Sequence, residues 1–156
     1  MGMKPELEAE IRSFFPHPRR AIAVLATADA ERGFSPEARP VTLFEMNWRF
    51  YVATGSGTRK ARELSAHPKA AALVMFRKGN HSGYLRICGR AEPIEDAAQR
   101  QRIADEAGYD LKGRWKGAGD PELSFFRISP ARIEYMRPGD EDAKDVTADL
   151  DAGAAR

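Results

Sequence analysis

Residues 38–60, ARPVTLFEMNWRFYVATGSGTRK, contain the most informative pattern in the chain. Residues 38–46 and 48–54 are rich in β-branched and aromatic side chains, and Asn47 stands between them. Because Asn tolerates the left-handed backbone of a tight turn, this pattern predicts a β-hairpin. Two glycines then lead into Arg59 and Lys60, and a short helix is predicted over residues 58–66.

The segments on either side of this hairpin extend the same kind of pattern. Helices are predicted over residues 5–15 and 96–107, from helical spacing and capping residues. Further strands are predicted at residues 21–28, 70–76, 84–91 and 123–136, the last broken at Pro130. Because strands outnumber helices and short turns join them, the order indicates a mainly β protein. We expect an antiparallel barrel with flanking helices rather than a doubly wound parallel sheet.

Length and charge distribution limit the domain organisation. A chain of 156 residues fits one domain. Residues 139–156 carry a net charge of −4, which leaves +6 on residues 1–138. Since the acidic segment has almost no large apolar residue, we predict a domain at 1–138 and a disordered tail at 139–156. The basic domain suits an anionic ligand.

The turn between the second hairpin strand and the helix has the chemistry of a phosphate site. Backbone N–H groups at a helix start lack intrahelical acceptors. The hydroxyls of Thr54, Ser56 and Thr58 add polar groups, and Arg59 and Lys60 add positive charge. No nucleotide P-loop is present, because neither G-x-x-x-x-G-K-[ST] nor G-x-G-x-x-G occurs. On these residues alone, a phosphate site and a glycine turn that merely precedes a solvated basic helix are equally possible.

An ordered set of segments resembles the FMN-binding split barrels related to pyridoxamine phosphate oxidase. The segments are ARPVTL, RFYVAT, GSGTRKARELSAHP, AALVMF, GYLRICGRAEPIED and SFFRISPARIEYM. The resemblance covers roughly residues 21–138. It implies a six-stranded antiparallel split β-barrel that forms a homodimer with FMN at the subunit interface. The Gly119-Asp120-Pro121 segment is most similar to the general stress protein branch of that superfamily.

The resemblance also implies which residues contact FMN. Those expected beside the flavin ring and the ribityl chain come from the two hairpin strands: Arg39, Pro40, Val41, Thr42, Ala53 and Thr54. Thr58, Arg59 and Lys60 would hold the phosphate at the helix start. Tyr84 would reach FMN from the partner subunit.

The sequence departs from the oxidase pattern where the substrate would bind. Phe44 stands where the family has a lysine that contacts the substrate phosphate, and Arg102 and Glu106 stand where it has Tyr and Arg. Met136 replaces the family Trp, and the terminal R-L-H-x-R segment is missing. We therefore expect an FMN-dependent oxidoreductase of a different, unidentified small-molecule substrate.

Two other functions stay open. The chain is alternatively a non-catalytic flavin-binding stress protein, acting as a carrier or sensor, or an F420-dependent reductase. Trp115 lies in a flexible basic stretch, where stacking on a ligand and anchoring of the loop are about equally expected. Arg100, Arg102, Arg114 and Lys116 are interpreted as a solvated basic face.

The remaining residues argue against several other classes. His17, His67 and His81 lack metal-ligand spacing, so no metal site is predicted. Cys88 is the sole cysteine, which suggests a reducing cytoplasm. No apolar run reaches the roughly 18 residues of a membrane span, and no nucleic-acid-binding motif is recognisable.

Overall fold

The computed structural model describes residues 4–154, which form a seven-stranded antiparallel sheet flanked by helices. The helices are α1 (Lys4–Ser13), α2 (Arg59–Ala66), α3 (Ala97–Glu106) and α4 (Thr147–Ala154). The strands are β1 (Arg20–Asp29), β2 (Ser35–Met46), β3 (Arg49–Gly55), β4 (Lys69–Lys78), β5 (His81–Pro93), β6 (Leu123–Met136) and β7 (Lys144–Asp145). None of the described helices is both long and apolar enough to cross a membrane.

Six strands close into a ring, which confirms the barrel-like architecture. The strand order is β3-β2-β1-β4-β5-β6, and β3 pairs again with β6 from Phe50↔Ile128 to Gly55↔Leu123. Closure pairs the strand edges that an open sheet would expose. The break predicted at Pro130 is instead a bulge in a continuous β6, because the register with β5 shifts between Cys88 and Gly89.

The segment after Pro138 differs from the prediction of a disordered tail. It contains β7, which pairs with Glu134 and Tyr135 of β6, and then α4. Val146 and Leu150 are buried in the main core. These two apolar side chains attach the acidic segment to the barrel. The average composition of the segment, which is polar and acidic, does not predict this attachment. The sheet therefore has a short seventh strand outside the ring of six.

Strand alternation fills the barrel and leaves two unlike outer surfaces. In β1, Ala23 and Leu25 point into the core, whereas Ile22 is 65% exposed. On the outside of β2, β3 and β6, a second cluster buries Phe44 and Phe125 against α3. The outer surface of β1, β4 and β5 is covered by no helix of the described chain and keeps large apolar side chains in solvent.

Candidate functional site

The β2–β3 hairpin and the start of α2 form one side of an open cleft. Asn47 and Trp48 make the hairpin turn with φ angles of 51° and 64°, as the position of Asn47 predicts. Thr58 begins α2 as its N-cap, and its Oγ1 accepts a hydrogen bond from the Ala61 N–H at 3.4 Å. The turn thus places the start of α2 beside Thr54 and Gly55 at the end of β3.

The cleft has a volume of about 280 Å³ and brings together seven of the ten residues expected in the site. These are Pro40, Val41, Thr42, Ala53, Thr54, Thr58 and Lys60. Ile22 and Gly55 join them, and the loop after α3 adds Tyr109, Arg114 and Trp115. Since no carboxylate of the described chain is among the lining residues, the charge of the cleft is positive.

Lys60 is the half-buried cation of this cleft. Burial lowers the pKa of its ammonium below the usual 10.5, and the positive charges of Arg39 and Arg114 lower it further, against a smaller opposing effect of Glu63. Within residues 4–154 its ammonium forms none of the salt bridges, which fall to other cations. A cation in this situation gains stability when an anion arrives.

Arg39 and Arg59 are engaged by a buried carboxylate rather than facing the cleft. Glu63 is 4% exposed, and its Oε2 accepts hydrogen bonds from Thr27 at 2.6 Å and from Arg39 at 2.7 Å. Arg59 lies 3.0 Å from Glu63 Oε1 and 2.9 Å from Glu37 Oε2. Burial alone would raise the pKa of Glu63, but the hydrogen bonds from Thr27 and Arg39 and the charges of both arginines hold it below its usual range.

The hydroxyl groups of the turn have distinct partners. Thr58 donates to the Gly55 carbonyl at 2.8 Å, and its oxygen lies 3.2 Å from the Thr54 hydroxyl. Ser56, which the sequence suggests as a phosphate donor, instead donates to the Pro121 carbonyl at 3.0 Å. The donors left at the helix start are the N–H groups of Arg59 and Lys60, for which the described chain provides no acceptor.

Tyr84 lies away from the cleft of its own chain. It sits on β5 between Met75 of β4 and Met136 of β6, with its ring centroid 5.5 Å from the guanidinium carbon of Arg86. These neighbours share the outer surface of the barrel that none of the described helices covers. The role expected for Tyr84 requires a second subunit and stays a prediction.

Five residues that line the cleft are not among the ten expected from the sequence: Ile22, Gly55 and three residues of the loop after α3. In that loop the sequence gives no indication of a role for Tyr109, predicts a solvated face for Arg114, and leaves Trp115 open between a ligand contact and a loop anchor. No local signal could have found them, because the loop meets the cleft only through its packing on β3 and α3. Among the described residues, no group of three His, Cys, Asp or Glu side chains is arranged to hold a metal ion.

Comparison with known proteins identifies sequences that are similar to this chain. The family model described as pyridoxamine 5'-phosphate oxidase matches residues 7–137. A pyridoxine/pyridoxamine 5'-phosphate oxidase of Caulobacter vibrioides (strain NA1000 / CB15N) is 33% identical over 142 residues. The alignment covers 72% of this chain and 62% of that relative, so the chain spans less than two thirds of the relative's length.

Solved structures share the architecture at lower identity. General Stress Protein 26 from Bacillus anthracis str. Sterne superposes with a TM-score of 0.67 at 23% identity, over 93% of this chain and 99% of that one. A structure described as an F420 reductase gives a TM-score of 0.58 at 17% identity, over 78% of this chain and 94% of that one. At these identities the two structures show a common fold.

Proposed function

Since the chain belongs to the pyridoxamine 5'-phosphate oxidase family, we propose that it is a flavoprotein that binds FMN in the cleft between β2, β3 and α2. The observation that carries this proposal is Lys60, a half-buried ammonium beside two helix N–H groups that find no acceptor within residues 4–154, in a cleft lined by no carboxylate of those residues. A phosphate dianion satisfies all three groups. Bound FMN would supply hydride transfer, and the protein would supply binding and orientation.

The residues of the cleft fit the two ends of such a cofactor. Lys60 and the N–H groups at the start of α2 offer positive charge and donors for the phosphate. Pro40, Val41 and Ala53 offer an apolar wall that would exclude water from a flat ring. Arg39 would act indirectly, because its guanidinium is held by Glu63 and fixes β2 against α2.

The substrate is proposed to be something other than a vitamin B6 phosphate. Phe44, at the position where the resemblance requires a phosphate-binding lysine, is fully buried. Its ring centroid lies 5.8 Å from that of Phe125 and 5.0 Å from that of Tyr109. An aromatic cluster without a cation cannot replace that lysine, so the reaction proposed is oxidation or reduction of a different small molecule.

A homodimer is proposed as the functional form. Ile22, Val24, Leu73, Met75 and Tyr84 share the outer surface of β1, β4 and β5, hereafter the outer apolar face. Ile22 also lines the cleft, whose 280 Å³ falls just short of the roughly 300–1,000 Å³ of small-molecule sites. A second copy laid on this face would bury the apolar side chains and deepen the cleft.

The test begins with the ligand that co-purifies with the protein. We expect flavin absorbance and, after release, the mass of FMN by mass spectrometry. Lys60→Ala should weaken FMN binding by about 1–3 kcal/mol, the loss of a charge-assisted hydrogen bond. Lys69→Gln, which removes an exposed cation at the start of β4, is the matched control and should leave the affinity unchanged.

Other results would redirect the assignment. Full FMN affinity in Lys60→Ala would contradict the phosphate site, and failure of the native protein to bind FMN would contradict the proposal itself. The mass of a deazaflavin would point to an F420-dependent reductase. Steady-state assays with NADH and NADPH in the presence of FMN separate an enzyme, which turns over, from a carrier or sensor, which does not.

A further inference from the structure

The loop between α3 and β6, residues 109–120, supplies part of the lining of the cleft. Its side chains Tyr109, Arg114 and Trp115 line the cleft together with Lys60. Trp115 is half-buried and packs against the same small buried cluster as Ala53 of β3, and Arg114 next to it is exposed. The loop thus brings one cation and two aromatic rings to a site that the hairpin and α2 leave open on this side.

Buried anchors fix the conformation of the 109–120 loop. Leu111 and Ala118 are buried in a small cluster with Ala104 and Leu123. Arg100 donates to the carbonyls of Ile94 at 2.5 Å, Leu123 at 3.1 Å and Ala118 at 3.3 Å. Because the loop is held at several points, its conformation is fixed, and Arg114 and Trp115 line the cleft from an ordered segment.

Asp120 closes the loop at its far end. Its carboxylate accepts from the Lys116 N–H at 2.8 Å and from the Glu122 N–H at 2.9 Å. These two backbone hydrogen bonds hold the pKa of Asp120 below its usual range. The carboxylate therefore holds the far end of the loop in place through the two backbone N–H groups it accepts from.

The charges around the cleft show which cations are available to an anion. Arg39 and Arg59 are paired with Glu63. Arg114 forms no salt bridge with a carboxylate of residues 4–154, and its charge is felt at Lys60, where it helps to lower the lysine pKa. Two cations that line the same open cleft, and that form no salt bridge within residues 4–154, stabilise an anion placed between them.

We infer that Arg114 is a phosphate-binding residue that shares the FMN phosphate with Lys60, in the place that the sequence resemblance gives to Arg59. The inference rests on the proposed function, because it deepens the same site. It assigns Arg59 a positioning role, as the partner of Glu37 and Glu63. It also adds Tyr109, Arg114 and Trp115 of the 109–120 loop to the ligand site.

The experiment compares FMN with riboflavin, which carries the same ring without the phosphate. Flavin titrations are performed on the native protein, Arg114→Gln, Arg114→Lys and Lys116→Gln. Arg114→Gln should weaken FMN binding about tenfold and leave riboflavin binding unchanged, and Arg114→Lys should recover part of the loss. Lys116 is the matched control, an exposed cation of the same loop that does not line the cleft.

The outcomes separate this inference from the proposed function. Native FMN binding together with full affinity in Arg114→Gln overturns the role of Arg114 and leaves the FMN assignment standing. An equal loss for FMN and riboflavin also overturns it, because it indicates a packing defect of the loop. A native protein that binds neither flavin overturns the FMN assignment and the inference together. Circular dichroism of each variant confirms that the comparison is made between folded proteins.

Discussion

Glu63 determines how much positive charge the cleft retains. Its buried carboxylate holds Arg39 and Arg59 and accepts from Thr27, and Glu37 also pairs with Arg59, so those two guanidinium groups are compensated within the protein. Lys60, one residue after Arg59, forms none of these pairs and keeps its charge for the cleft. One acidic residue in α2 thereby divides three neighbouring cations into two that support the structure and one that faces a ligand.

Glu63→Gln should destabilise the fold by about 2 kcal/mol, because it leaves the partly buried Arg39 without a countercharge. The pKa of Glu63 is held below 4.5 in the folded state. Its contribution is therefore complete above pH 4.5 and is lost as the pH falls through the folded-state value. Urea unfolding at neutral pH and below pH 4.5 measures both effects. Glu95→Gln, at an exposed site, should change neither the stability nor its pH dependence. If Glu63→Gln lost as much stability as the native protein between neutral pH and pH below 4.5, the role given to the Glu63 carboxylate would be contradicted.

Lys60 should make FMN binding depend on alkaline pH. Its pKa is lowered in the free protein, so deprotonation begins below the ordinary 10.5 and removes the cation that the phosphate requires. A bound dianion raises that pKa again, so binding takes up protons between the two values. FMN affinity should decline as the pH rises toward 10.5. In Lys60→Arg, which stays charged, the decline should be absent; a decline of equal size there would assign it to another group.

At the scale of elements, local sequence patterns predict the hairpin well and the loop poorly. The strands around Asn47 and the helix capped by Thr58 form within three residues of the predicted bounds, because their turn and cap signals lie in adjacent residues. The 109–120 loop and α4 depend on contacts with distant strands, which no local pattern records. Seven of the ten expected site residues line the cleft. They could be predicted because they belong to the hairpin or to the start of α2, which local signals determine.

The hairpin turn gives a direct test of this local control. Asn47 is exposed and has a φ of 51°, a left-handed conformation that Asn and Gly adopt more readily than Ala. Asn47→Ala should cost about 1 kcal/mol of unfolding free energy, and Asn47→Gly should cost less. Thermal or urea unfolding of the pair measures the difference. Equal stability of the two variants would show that the turn does not constrain the hairpin.

The C-terminal segment is a second element whose role can be measured. Leu150 of α4 is fully buried in the main core, so Leu150→Ala should destabilise the protein by about 2–4 kcal/mol. Glu141→Ala, in the exposed part of the same segment, should have little effect. Urea unfolding distinguishes the two. A neutral Leu150→Ala would mean that α4 adds nothing to the stability of the barrel.

At the scale of the whole molecule, ring closure determines which surface remains available. α3 covers the outside of β2, β3 and β6 through Phe44 and Phe125, and α4 packs against the core beside β6. The outer apolar face of β1, β4 and β5 is left without a cover from the described chain, with Ile22 at 65% and Met75 at 66% exposure. Exposed apolar surfaces of this kind are typical of interfaces. The barrel was predictable from strand order, whereas this uncovered face required knowing where the helices pack.

The last prediction concerns the oligomeric state that this face implies. Met75 lies at the middle of β4, opposite Tyr84, where a two-fold pairing of outer apolar faces would bury it. Met75→Glu would place a carboxylate in that contact. The free energy needed to bury an unpaired charge exceeds the free energy gained from the apolar contact. We expect the native protein to be a dimer by size-exclusion chromatography with light scattering, and Met75→Glu to be monomeric.

Because Ile22 belongs to both the face and the cleft, the monomer should also bind FMN more weakly. Ala98→Glu puts the same charge on an exposed position of α3 and should leave the dimer intact. A native monomer, or a Met75→Glu dimer, would mean that the outer apolar face is not the interface and that the cleft is completed by one chain.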